Sequence, residues 1–205
     1  MKKTLLAFLF CSVTLSASSS FATQLPPSKC ERQGYGPVII WPKSYTPGLT
    51  DNYVSNEIIV KDLKISDVWP LLTKASQWPT YYQNASNITF HKQGETELKM
   101  GTRFKFTTFN FPVESEVTEF QPSVNGNPAR IAWHGWVEGD AEHRLDVHHA
   151  WLLENMPGGR LRILTEESQT GKPAQQLHAT LPNPMLNAHQ LWLTGLVNAA
   201  QQAKN

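Results

Sequence analysis

The chain has 205 residues, with 18 Lys and Arg against 17 Asp and Glu. This near-neutral balance excludes the electrostatic footprint of a nucleic-acid or anionic-membrane binder. Two cysteines, Cys11 and Cys30, are too few for a disulfide-stapled scaffold. Seven Trp, nine Phe and five Tyr fit either a large apolar interior or a well-filled core.

Residues 1–22 have the three-part pattern of a secretory signal peptide: Lys2 and Lys3, an apolar run from Thr4 to Leu15, and a small-residue stretch ending at Ala22. Cleavage there leaves 16 basic residues against 17 acidic, a net charge of −1, and Cys30 as the single cysteine. The lysine start and serine-rich end point to a bacterial periplasm. Residues 23–51, rich in Pro, Gly and Ser, read as an extended arm lying over the domain that follows. Residues 52–205 form that domain.

Tyr53 to Lys61 reads as the first strand, centred on Ile58, Ile59 and Val60. Ser66 is placed to cap a short helix over Asp67 to Lys74, and Ser76 to Tyr82 forms a second helical turn. Six strands follow: Ile88–Lys92, Thr102–Asn110, Val113–Gln121, Arg130–Val137, Arg144–Glu154 and Arg160–Gln169. Short turn-forming links between them predict antiparallel hairpins. Asn183 and Pro184 open a last helix with Leu186, His189, Leu193, Leu196, Val197 and Ala200 on one stripe. That helix is the one element large enough to cover the sheet, giving an α+β arrangement.

Several segments occur together in a familiar order. Val68-Trp69-Pro70-Leu71-Leu72 precedes Trp78-Pro79-Thr80-Tyr81-Tyr82, then Gly101-Thr102-Arg103-Phe104 and Ile131-Ala132-Trp133. His149 to Leu153, Glu166 to Gly171 and His189 to Ala200 complete the series. The stretch from Tyr53 to Ala203 resembles the SRPBCC superfamily, the START-like and Bet v 1-like helix-grip group that includes polyketide cyclase/dehydrase and lipid-transport proteins. The resemblance implies a seven-stranded antiparallel sheet wrapped around the C-terminal helix, two short helices after the first strand, and a cavity for a hydrophobic ligand. The exported arm departs from the usual pattern.

Strand alternation selects the residues that face the helix. Phe104 and Phe106 share a face, as do Ile131, Trp133 and Val137. Leu145, Val147, His149, Trp151 and Leu153 form the next face, and Leu161, Ile163, Thr165 and Glu167 the last. His149, Thr165, Glu167 and, from the helix, His189 are polar groups among apolar ones, as in a small-molecule site. With Phe104, Phe106, Trp133, Trp151 and Leu193 they form the candidate ligand-binding set. A hydrogen-bonded core role is the alternative for the histidines, and a core role for Trp133 and Trp151. A bulge would exchange Glu166 for Glu167.

His143, His148 and His149 look like metal ligands, but adjacent His148 and His149 point to opposite faces of a strand and do not share one ion easily. Glu114, Glu116 and Glu119 read as a solvated strand face. No phosphate-binding glycine loop, Gly-x-Ser-x-Gly elbow or paired-cysteine zinc pattern occurs. No cofactor or metal is therefore expected. The leading expectation is an exported carrier for a hydrophobic small molecule or lipid. One rival is a cyclase- or dehydratase-like enzyme with His149 and Glu167 as its acid–base pair. The other is a module that docks an envelope protein partner through the N-terminal arm and Cys30.

Overall fold

The structure is a computed structural model that describes residues 36–204. The expected signal segment, the first part of the arm and Cys30 lie outside the described residues. Seven strands form one antiparallel sheet in the order β1-β7-β6-β5-β4-β3-β2. They are β1 (Asn52–Lys61), β2 (Ser86–Phe90), β3 (Arg103–Thr108), β4 (Phe111–Gln121), β5 (Ala129–Val137), β6 (Leu145–Met156) and β7 (Arg160–Thr170). Each pair from β2 to β7 is joined in sequence order, whereas β1 closes on the last strand, with Asn52 opposite Gln169.

Between β1 and β2 lie helix α1 (Ile65–Thr73) and a 3₁₀ turn (Ala75–Thr80). The expected cap at Ser66 is two residues too late. Lys64 is the N-cap, and its backbone N–H donates to the Asp67 carboxylate at 2.8 Å. The chain leaves β1 through Asp62 at positive φ, so the helix begins sooner than the serine would indicate. Asn155 on β6 accepts from the Ile65 N–H and fixes this start against the sheet.

Helix α2 (Lys172–Ala179) is not among the elements read from the sequence. Gly171 adopts φ +122°, and a Cβ there would lie 2.3 Å from the Arg144 carbonyl oxygen. Its N–H donates to Asp51 at 2.8 Å. Proline is welcome in a first helical turn, so Gly171 and Pro173 begin the helix.

Helix α3 (Pro184–Lys204) starts as its sequence predicts, with Asn183 Oδ1 accepting from the Met185 N–H at 3.0 Å. Its buried face differs from the expected stripe, losing Leu186 and gaining Met185, Ala188 and Trp192. Leu186 is 40 % exposed, and Met185, Ala188 and Trp192 are buried with His189, Leu193 and Leu196. The buried face centres on 185, 189, 192 and 196, which turns Leu186 towards solvent while its carbonyl accepts from Asn56 of β1. At Gly195 the helix approaches the second short turn so closely that a Cβ would lie 1.9 Å from the Tyr81 carbonyl oxygen.

Aromatic side chains fill much of the space between sheet and helix. Trp78 sits at the centre, with ring centroids 5.0 Å from Trp192, 5.6 Å from Trp133 and 5.9 Å from Phe104. Its indole N–H donates to the Leu72 carbonyl, so the ring is buried without a lost hydrogen bond. Tyr82 stacks on Trp192 at 4.4 Å. No helix among the described residues is long and apolar enough to cross a membrane.

The outer face of the sheet is also apolar at its middle. Ala132, Ala150, Leu152 and Leu164 pack under Ile39 of the N-terminal segment. Arg162 and Arg130 donate to the Pro37 and Val38 carbonyls, both at 2.8 Å, and hold that segment on the sheet. A bulge between Val117 and Glu119 keeps Glu119 on this outer side, while Glu114 pairs with Lys105 at 3.3 Å.

Candidate functional site

A cavity of about 270 Å³ remains where the aromatic packing stops, between the strands and helices α2 and α3. Phe106, Val113, Trp133 and Val147 form sheet-side wall, Leu177 comes from α2, and Met185 and Trp192 from α3. Gly135 also lines it, so β5 contributes backbone there and no side chain fills the space.

His149 and Glu167 are direct cross-strand partners on β6 and β7. Side chains opposite each other on one face of an antiparallel pair meet, and here His149 Nδ1 lies 2.9 Å from Glu167 Oε2. Thr165, two residues before Glu167 on the same face, places its hydroxyl 2.8 Å from His149 Nε2. Nδ1–H therefore donates to the carboxylate while Nε2 accepts from the threonine hydroxyl, which assigns the tautomer from its partners.

A longer chain of polar groups ends on the same carboxylate. The Gln169 amide donates to Glu167 Oε1 and accepts from Asn52 Nδ2. Asn52 Oδ1 accepts from Asn183 at 2.8 Å, and Asn183 caps α3. Strands β1 and β7 and the start of α3 are thus tied to one oxygen of Glu167. Buried polar groups joined in this way fix a geometry that an apolar core would leave loose.

Helix α3 brings His189 onto the pair. Its ring stacks on His149 with centroids 4.6 Å apart and planes 17° from parallel. His189 Nε2 is 3.5 Å from Glu167 Oε2, yet neither ring nitrogen makes a hydrogen bond, although the residue is only 1 % exposed. Burial acts to raise the Glu167 carboxyl, but the His149 hydrogen bond and the contact with His189 outweigh it and hold the group well below the usual carboxylate range. Burial pushes the His149 imidazole down to about 4, against the pull of Glu167. The pair at neutral pH is a carboxylate beside a neutral imidazole.

Of the sequence-predicted set, Phe106, Trp133, His149, Glu167 and His189 line the cavity. Phe104, Trp151, Thr165 and Leu193 are fully buried but do not line it. Phe104 is taken up by Trp78 and Phe106, Trp151 by Trp192, and Thr165 acts from behind through His149. Glu167, and not Glu166, faces inward; Glu166 accepts from Tyr53 and Ser55 on the other side. His148 faces outward against Trp41 and Tyr45, on the opposite side of the sheet from His149. Gln169 and Trp192 were missed. Gln169 has the parity of Glu167, and Trp192 lies three residues after His189, so both were within reach of the same periodicities.

No family model matches the chain, and a search of the curated proteins finds no match. Solved structures do match. A crystal structure of hypothetical protein jhp0584 from Helicobacter pylori is 48 % identical, with TM-score 0.78, over 82 % of this chain and 99 % of that one. Protein MLL2253 from Mesorhizobium loti is 14 % identical with TM-score 0.55, over 74 % of this chain and 98 % of that one. Truncated norcoclaurine synthase from Thalictrum flavum is 12 % identical with TM-score 0.50, over 74 % and 92 %. These two share the fold alone, which is consistent with an SRPBCC-type, Bet v 1-like architecture. By its identity and coverage with the Helicobacter pylori protein, the chain belongs to the family of hypothetical protein jhp0584.

Proposed function

We propose that the protein binds a small apolar molecule in this cavity, with a polar end of the ligand directed to the His149–Glu167–His189 wall. The observation that carries the reading is an aromatic-walled hollow with a few convergent polar groups on one side. Its size favours a compact ligand. Pockets for drug-sized molecules span roughly 300–1,000 Å³, and at about 270 Å³ this one is at or below the small end. A two-chain lipid is therefore disfavoured relative to a one- or two-ring aromatic or a short acyl compound. Affinity would come from apolar area removed from water, at roughly 25 cal/mol per Å².

Naphthol, an aromatic alcohol of suitable size, is a direct probe. Saturable binding with a fluorescence change is expected for the wild-type protein. Leu177→Trp, which enlarges a half-buried side chain at the cavity wall, should weaken it more than tenfold. Absence of saturable binding, or binding indifferent to Leu177→Trp, would overturn the reading.

The fixed tautomer and hydrogen-bond chain favour a second reading, an enzyme. In that case His189 is the group to meet the substrate, because both nitrogens of His149 are already engaged. His149 and Glu167 would then orient and polarise the site. Turnover of a bound compound that His189→Gln abolishes and His143→Gln preserves would establish it; equal turnover in both variants would remove it.

A further inference from the structure

We propose that His149, Glu167 and His189 form a binding site for one divalent first-row transition-metal ion of the zinc class, with an open coordination position toward the cavity. The inference rests on the cavity reading only for what occupies that open position. Three observations on the geometry lead to it.

First, the three side chains come from three different elements, and one ligand atom from each lies within 4.8 Å of the others. A tetrahedral ion with bonds of 2.0–2.2 Å holds its ligands about 3.3–3.6 Å apart. The edge from His149 Nδ1 to Glu167 Oε2 is 2.9 Å, a few tenths short of that spacing, and the edge from His189 Nε2 to the same oxygen is 3.5 Å, within it. The ligand atoms of the two imidazoles lie within 4.8 Å of each other, and a bound ion would set that edge to the same spacing.

Second, His189 is almost fully buried, with neither ring nitrogen hydrogen-bonded. Leaving a buried polar atom unpaired is unfavourable, and an ion on Nε2 would remove that cost for one of the two. Glu167 is also buried, and among the described residues the only basic groups within ion-pair distance of it are the two imidazoles. Among those residues, no lysine or arginine pairs with the carboxylate.

Third, the groups behind the ligands are those a metal site needs. Metal-bound histidines hand their other ring nitrogen to an oxygen acceptor, and ligating carboxylates are held by further hydrogen bonds. With an ion on Nδ1, His149 would carry its proton on Nε2 and donate to Thr165 Oγ1, which lies 2.8 Å away. Gln169 holds Glu167 Oε1 and leaves Oε2 for the ion. Two histidines and one carboxylate form a donor set for zinc and related borderline ions, not for magnesium or calcium, which prefer all-oxygen shells. Three protein ligands leave a fourth position, and the cavity lies beside them. A ligand oxygen or water would complete the shell there.

The test is metal uptake by chelator-treated, full-length mature protein, dialysed separately against Zn²⁺, Co²⁺ and Mg²⁺ and analysed for bound metal. One equivalent of Zn²⁺ or Co²⁺ and no Mg²⁺ is expected, with a visible Co²⁺ spectrum of a low-coordinate nitrogen and oxygen site. Glu167→Gln and His189→Gln should each lower Zn²⁺ affinity at least tenfold, while exposed His143→Gln keeps it. Near-UV circular dichroism identifies variants that retain the native fold, and the comparison uses those alone. Uptake below a tenth of an equivalent, or uptake unchanged in a folded Glu167→Gln, His189→Gln double variant, would overturn the site. Naphthol binding on the same samples separates the two ideas. Binding of naphthol without zinc uptake overturns the metal site and leaves the cavity reading standing. Zinc uptake without naphthol binding upholds the metal site and overturns the cavity reading.

Discussion

Thr165→Val isolates the contact that sets the His149 tautomer. Thr165 is fully buried and His149 is 2 % exposed. Valine replaces the hydroxyl with a methyl group of nearly the same size, so little cavity forms and the change is chemical. The lost partner is the buried 2.8 Å hydrogen bond to Nε2. Leaving one buried polar atom unpaired costs about 1–3 kcal/mol. For a domain of this size, a urea dependence of roughly 2 kcal/mol per molar converts that to a midpoint lowered by about 0.5–1.5 M. The assay is urea unfolding of metal-free protein, followed by tryptophan fluorescence. Thr194→Val is the control, since its hydroxyl bonds only the carbonyl of Gln190 on an exposed face of α3. It should stay within about 0.5 kcal/mol of wild type. Nitrogen-15 spectra of the His149 ring give a second readout: wild type should be the Nδ1–H form, and the variant should shift. A Thr165→Val midpoint equal to that of Thr194→Val, with an unchanged His149 spectrum, would refute the assigned hydrogen bond.

Gly195→Ala should destabilise the protein even though alanine is the better helix former by about 1 kcal/mol. The added Cβ meets the Tyr81 carbonyl oxygen at 1.9 Å, and the separation that follows should cost about 1–3 kcal/mol net in urea unfolding; a stabilised variant would disprove the close approach. Burial pushes the Tyr82 hydroxyl up to about 12, with the Asn84 and Thr108 hydrogen bonds opposing it. Its folded value lies above the unfolded one near 10, so its contribution is intact below pH 10 and lost as pH rises towards and through 12. The loss should approach about 2–3 kcal/mol at the upper limit. Urea midpoints of wild type and Tyr82→Phe at pH 9 and pH 11.5 measure it; parallel losses in both proteins would show that Tyr82 is not the group responsible.

The seven strands were legible because each carries its period in the chain. Leu145, Val147, His149, Trp151 and Leu153 alternate cleanly, and the turns between strands are spelled by Asn, Gly and Pro. The same parity put His149, Thr165 and Glu167 on one face. Helix α2 was not legible, since its start depends on Asp51 accepting from Gly171 across 120 residues of sequence. Leu186 was assigned to the buried stripe of α3 because a helical period fixes relative angles and not which arc meets the sheet. Gly195 and Tyr81 settle that arc by their contact.

Sequence periodicity by itself determined the α+β order, the inward parity of the strands and the chemical character of the inner face. Only the tertiary structure decided how much of that face is cavity. Trp78 fills the centre, so the abundance of aromatic residues leaves about 270 Å³ open at one side. The tertiary structure also decided that His189 stacks on His149 over Glu167. Periodicity acts along one element, whereas a site built from two strands and a helix depends on their register and on the rotation of the helix. Packing of the whole core sets both.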